Sequence, residues 1–340
     1  MDAKTGRVLY AKQANKSMKI ASLTKIMTAI IAIEQGNLKK PVTVKRSAVG
    51  IEGSSIYLKE GEKVPLETLL YGLMLRSGND AAIAIAEYIG GSVEGFVYLM
   101  NEKATHLGLA HTNFMNPHGL DHPDHYSSAK DLAILTSYAL KNPVFQRIVQ
   151  TEVKDVPWPG EEWHRRFYNK NKFLRLYKGA NGVKTGYTKQ AGRTLVTSAT
   201  RNGRQLVCVT LNAPNDWQDH QRLYQFGFSH FASHSVLERG QVVLEPFQPT
   251  DKRKDLKVVA DAPFQYPITQ QEKDQIVLKP MLTYPTHLLE KADIPVGSMQ
   301  IYLGNHWIGS VPLVSKWRPS GSIWSNWKQV FVSLLMQGEL

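Results

Sequence analysis

The sequence holds a single cysteine, so a disulfide within the chain is impossible. That residue, Cys208, lies in the apolar run Gln205 to Thr210 and reads as a small buried hydrophobe on a strand. No apolar stretch reaches the ~18 residues that a membrane-spanning helix needs. Internal repeats and low-complexity tracts are missing, and no signal peptide is visible ahead of Met1-Asp2-Ala3. Acidic charge is scarce: 29 Asp and Glu face 41 Lys and Arg, a net charge of +12. Such a balance suits anionic surroundings, whether nucleic acid, anionic lipid or an acidic polymer. There is no run of five basic residues and no nucleic-acid motif, so nucleic acid is not expected as a partner. With 42% hydrophobic and 21% charged residues, the chain can bury a sizeable core, and its 340 residues predict two domains.

Residues 1–240 carry mixed patterns. Arg7 to Lys12 reads as a strand, and Ser22 to Gln35 as a buried helix ending before Gly36. Residues 65–75 read as a helix opened by Pro65 and running into Ser77. A second helix spans Asp80 to Tyr88, and a third Ser128 to Lys141, with Ser128 and Asp131 placed to cap it. Thr194 to Thr200 and Gln205 to Leu211 flank Asn202-Gly203, a strong hairpin signal, and residues 217–231 return to helix. Residues 241–318 are rich in short strands, with a second hairpin signal at Gly304-Asn305, and predict a small all-β domain.

Residues 319–340 form a third segment. Ile323, Trp324, Trp327, Val330, Phe331, Leu334 and Leu335 fall on one helical stripe opposite Ser325, Asn326, Lys328, Gln329 and Ser333. The helix is too short to span a bilayer. It can lie at a membrane surface through Trp324, Trp327, Phe331 and Leu335, or dock on protein.

Three motifs stand in order: Ser22-Leu23-Thr24-Lys25, Ser77-Gly78-Asn79 and Lys184-Thr185-Gly186. Each alone is weak. Ser-x-x-Lys recurs at Ser127, where helix capping accounts for it, and at Ser325, on the polar face of the tail. Lys-Thr-Gly recurs at Lys4, where Thr5-Gly6 reads as a turn. Only the set at 22, 77 and 184 can make one site. Ser22 opens a helix whose amides favour a developing anion, and Lys25, three residues on, shares its face. A lysine becomes a base only when burial or a second cation lowers its pKa, and Lys184 is a natural second cation. Ser77 can relay a proton, and Asn79 can orient Lys25 or hold a substrate amide. Lys184 and Thr185 offer a charge and a hydroxyl to a carboxylate, while Gly186 keeps the strand open to a peptide. The cluster His118, Asp121, His122, Asp124 and His125 matches no zinc spacing and reads as a loop, so no metal or other cofactor is expected.

These motifs, with Asn116-Pro117-His118-Gly119-Leu120 and His125-Tyr126-Ser127-Ser128-Ala129, resemble the low-molecular-mass penicillin-binding proteins, the serine D-alanyl-D-alanine carboxypeptidases. The resemblance is strong over residues 2–235, looser beyond, and close to the Bacillus sporulation type. It implies an α+β fold: a penicillin-recognising, serine transpeptidase/β-lactamase-like domain whose antiparallel sheet is flanked by helices, followed by a β-rich domain. It implies that Ser22 attacks the penultimate D-Ala carbonyl of a peptidoglycan stem peptide, that Lys25 takes its proton, and that Ser77 relays one to the leaving D-Ala. Lys184 and Thr185 would hold the terminal carboxylate, and the amides of Ser22 and Tyr187 the oxyanion. β-Lactams would acylate Ser22. The resemblance also implies export by a signal peptide, removed from this sequence, and attachment of the tail to the outer face of the cytoplasmic membrane. Residues 214–220 lack the arginine that some relatives use for the carboxylate, which leaves Arg193 as a further candidate. Two other readings compete. A β-lactamase would need a Glu-x-x-Leu-Asn loop that the chain does not have, and a non-catalytic, membrane-associated wall-binding module would leave Ser22 unreactive.

Overall fold

A computed structural model describes residues 1–158, 160–244, 256–283 and 292–317. The tail residues Trp324, Trp327, Phe331 and Leu335 lie outside the described residues. The chain divides into two compact units after Ser229, not at residue 240. The shift has a local cause: residues 232–237 pair as a strand with 264–268 and so belong to the second unit.

The first unit is built on α1 (Lys25–Gln35), whose first eight residues are all buried. Apart from Lys25 and Thr28 these residues are apolar on every side, because other elements surround the helix. In chain order there follow β1 (Pro41–Thr43), β2 (Lys63–Pro65), α2 (Leu66–Tyr71), α3 (Asn79–Gly90), α4 (Val93–His106), α5 (Ala129–Ala139) and α6 (Pro143–Gln150). Caps set the later boundaries. Ser128 Oγ accepts the Asp131 amide at 3.1 Å, and Asn142 accepts the Val144 amide at 2.9 Å, with Pro143 at the first helical position.

Next come β3 (Val153–Pro157), β4 (His164–Tyr168), α7 (Phe173–Leu176), β5 (Ala180–Thr188), β6 (Gly192–Arg201), β7 (Arg204–Thr210) and α8 (Asp216–His230). β5, β6 and β7 form an antiparallel sheet in that order. Its last hairpin turns at Asn202 (φ 50°) and Gly203 (φ 73°), two successive left-handed residues as a tight two-residue turn requires. Arg7 to Lys12 is not a strand; instead Met1 to Ala3 runs along β7, with Met1 and Val207 exchanging both backbone hydrogen bonds. Asp2 holds that start in place by accepting the Thr5 amide and hydroxyl, each at 2.9 Å, which makes the Lys4 copy of the motif a turn.

The second unit contains β8 (Ala232–Leu237), β9 (Val242–Leu244), β10 (Leu256–Ala260), β11 (Phe264–Ile268), β12 (Ile276–Leu282), β13 (Pro295–Leu303) and β14 (His306–Trp317). Five of them form an antiparallel sheet ordered β12-β13-β14-β10-β9. Its core includes Leu237, Val258, Met299, Ile301 and Leu313.

Candidate active site

Ser22 sits in a 3-10 turn, Ala21–Thr24, that leads into α1, and Ala21 adopts φ 48°. Three distant segments clamp this turn. Thr194 on β6 donates from Oγ1 to the Ile20 carbonyl at 3.2 Å. Gly186 on β5 packs so closely that a Cβ there would lie 3.0 Å from the Ser22 amide nitrogen. Gly119, at φ +88°, lies against the Ala21 carbonyl, and a Cβ there would stand 1.9 Å from the oxygen. Gly186 therefore also brings the strand flush against the Ser22 amide.

Lys25 is fully buried. Its Nζ lies 2.7 Å from Asn79 Oδ1, 2.6 Å from the His118 carbonyl and 3.1 Å from Ser22 Oγ. Both carbonyl oxygens accept only, so they take two N–H bonds and aim the remaining tetrahedral direction at Ser22. In the ammonium form that direction carries a third proton; in the neutral amine it carries the lone pair. Burial, then the charge of Lys184, then that of Lys170, lowers the Lys25 pKa well below its ordinary value.

Asn79 is held in turn, Nδ2 donating to Glu52 O at 2.6 Å and its amide to Ser54 O at 2.7 Å. Ser77 is buried and left-handed at φ 65°, ending the π-helical turn Gly72–Arg76 just before α3. Asp80 lies buried in the first turn of α3. The carboxylate accepts the amides of Ile56 and Leu58 and the Ser55 hydroxyl, fixing residues 55–58 beside the site.

Lys184 is buried on β5, its Nζ donating to Thr185 O at 2.7 Å; burial first, then Lys170, lowers its pKa to about 7. Thr185 and Gly186 follow on the same strand, and Tyr187 is largely exposed. The motif set therefore meets at one place: a helix start, an inter-helix turn and a strand. Arg193 is otherwise engaged: it pairs with buried Asp216 at 2.8 Å, tying β6 to the first turn of α8.

The His118–His125 segment is a loop that braces the site. His118 Nδ1 accepts the Leu120 amide at 3.1 Å and His122 Nδ1 the Asp124 amide at 3.2 Å. His125 Nδ1 accepts the Met115 amide, and its Nε2 lies 2.7 Å from Thr24 Oγ1, which donates to Ala21 O. Burial keeps both rings neutral, lowering His118 to about 3 and His125 to about 4. Among the described residues no group of three or more His, Cys, Asp or Glu is placed to hold a metal ion. The Ser127 copy of the motif has another cause than capping: its hydroxyl meets Thr112 Oγ1 at 2.8 Å and its backbone bridges Met18, while Ser128 is the cap.

Residues 1–215 match the family described as D-alanyl-D-alanine carboxypeptidase, and residues 231–317 the penicillin-binding protein 5 C-terminal domain. The D-alanyl-D-alanine carboxypeptidase DacF of Bacillus subtilis is 35% identical over 76% of this chain and 68% of its own length. DacC of Escherichia coli is 37% identical over 68% of this chain and 60% of its own length. The crystal structure of penicillin binding protein 5 from Haemophilus influenzae superposes with a TM-score of 0.75 at 29% identity, covering 93% of this chain and 94% of that one. The chain belongs to the D-alanyl-D-alanine carboxypeptidase family, serine peptidases that bind penicillin and cut the D-Ala-D-Ala end of peptidoglycan stem peptides.

Proposed function

We propose that the cleft at Ser22 performs this hydrolysis with roles assigned residue by residue. Ser22 Oγ attacks the carbonyl of the penultimate D-Ala, and neutral Lys25 takes the hydroxyl proton. Ser77 passes a proton to the departing D-Ala amine. The oxyanion is held by the amides of Ser22 and Tyr187, and the terminal carboxylate by Lys184 and Thr185. Water then cleaves the ester, whereas a β-lactam acyl group stays on Ser22 for longer. The observation that carries this reading is the amine of Lys25, fixed by two carbonyls and aimed at Ser22 Oγ across 3.1 Å. The test is covalent. Labelled penicillin should attach within the tryptic peptide Ile20 to Lys25; label on any other peptide sinks the mechanism.

The two lysines give a pH profile. Lys184 must be charged to hold a carboxylate, so kcat/KM should fall as pH rises through about 7. Bound carboxylate favours the charged amine, so kcat should not show the same fall over that range. Stability moves the other way. Lys184 binds its proton less tightly folded than unfolded, so the unfolded chain holds more protons between about 7 and its ordinary value of 10.5, and unfolding becomes harder as pH rises across that window. A kcat/KM that stays flat from pH 6 to 9 would count against Lys184 as the carboxylate's partner.

An envelope location follows from the substrate. We place the cleft at the outer face of the membrane, with support from the apolar stripe that includes Trp324, Trp327, Phe331 and Leu335 and from the net charge of +12. Flotation on anionic vesicles should be lost when residues 319–340 are removed; flotation that survives the truncation refutes the attachment.

A further inference from the structure

We propose that a groove next to Ser77 is a specificity subsite for a carboxylate-bearing side chain on the acyl arm of the substrate, the part that precedes the scissile bond. The proposal rests on the serine carboxypeptidase reading of Ser22. The segment Ser54 to Leu58 carries it. Ser54 touches the catalytic cluster twice, its carbonyl accepting the Asn79 amide at 2.7 Å and its Oγ the Lys170 Nζ at 2.8 Å. Beyond it, buried Asp80 takes the Ile56 amide at 3.0 Å and the Leu58 amide at 3.1 Å. From the other side Arg165, stacked on Trp158 with 3.7 Å to the ring centroid, donates to Ile56 O at 2.8 Å.

Tyr57 is caught between these two holds in the left-handed region, φ 61°, with 77% of its surface exposed. A bulky side chain rarely adopts that backbone, and strain of this kind persists only where the surroundings over-determine it. The result is an exposed ring on the rim of a cavity of about 470 Å³, across which stand Trp163, 66% exposed, and Tyr168, 51% exposed. That volume is in the range of small-ligand sites. Three large aromatics left open around one cavity mark a contact surface.

The charge in the groove is specific. Of its three arginines, Arg165 is engaged by Glu161 and Ile56 O, and Arg166 is paired with both oxygens of Asp155. The side chain of Arg76, the residue before Ser77, has no hydrogen bond or ion pair among the described residues. A guanidinium without a partner, flanked by aromatic walls, recognises a carboxylate at the end of an apolar or peptide arm.

The experiment compares two peptides ending in D-Ala-D-Ala that differ only in an upstream glutamyl or glutaminyl side chain. The wild type should favour the glutamyl peptide by about tenfold in kcat/KM, mostly through KM. Arg76→Gln should bring the ratio to about one, and Trp163→Ala should raise KM for both peptides. Equal rates in the wild type, or a preference that survives Arg76→Gln, overturns the subsite. Penicillin labelling of the same preparations separates the two proposals. A labelled Arg76→Gln enzyme that keeps the preference sinks the subsite alone; an unlabelled wild type sinks the serine mechanism and the subsite with it.

Discussion

Ser22→Ala is expected to lose penicillin labelling entirely and to lower kcat by on the order of 10⁴-fold or more. Lys25→Met, which keeps the bulk of the side chain and removes the base, should cost a similar factor. The two losses should not add. In the proposed mechanism nucleophile and base act in one step, so Ser22→Ala combined with Lys25→Met should be no slower than the worse single variant. Lys25→Arg should not rescue. A guanidinium does not deprotonate, and it brings a permanent charge into a site where the amine must be neutral to work. Rates of D-Ala release and of label incorporation for the four proteins check this. Additive losses would show that Ser22 and Lys25 serve separate steps.

Gly119→Ala is expected to damage both fold and site. The new Cβ would meet the Ala21 carbonyl oxygen at 1.9 Å and Thr24 Oγ1 at 2.8 Å, on a backbone at φ +88°. Ala21 O is backbone in the turn that carries Ser22, so the collision cannot be relieved by a rotamer change. The left-handed conformation and the overpacking together cost roughly 3–5 kcal/mol. For a domain of this size that corresponds to a melting temperature lower by about 10 °C. Acylation should slow as well, because relief of the clash moves Ser22 away from Lys25. Thermal melting and label incorporation measure the two effects; a variant that melts and acylates like the wild type refutes the clamp.

The motifs were legible because each is a short run whose spacing fixes its own geometry. Ser22 and Lys25 share a helical face whatever else the fold does. The Asn202-Gly203 and Gly304-Asn305 turns were legible for the same reason. What escaped depends on distant partners. Arg7 to Tyr10 has the composition of a strand, but Met1 to Ala3 takes the place beside β7. Arg193 reads as a spare cation until Asp216, 23 residues on, is seen to hold it. Lys170 acts on both buried lysines, yet it carries no motif. Its only local signal is the pair of flanking asparagines: Asn169 accepts the Asn171 amide and Asn171 the Phe173 amide, shaping the turn that presents it. His118 contributes a carbonyl oxygen, which no side-chain pattern reveals. The domain boundary moved because a strand after α8 pairs forward in the chain rather than back.

The clamp on the Ser22 turn bears on how the molecule becomes competent. Ser22 is held by Gly119, Gly186 and Thr194, and Lys25 by Asn79 and the His118 carbonyl. These contacts bridge sequence separations of about 50 to 170 residues, so helix α1 formed alone brings no reactivity with it. Long-range closures of this kind are completed late, after local helices have formed. Reactivity toward penicillin is thus a property of the finished first unit, and a chain caught part-way through folding would be inert toward the drug.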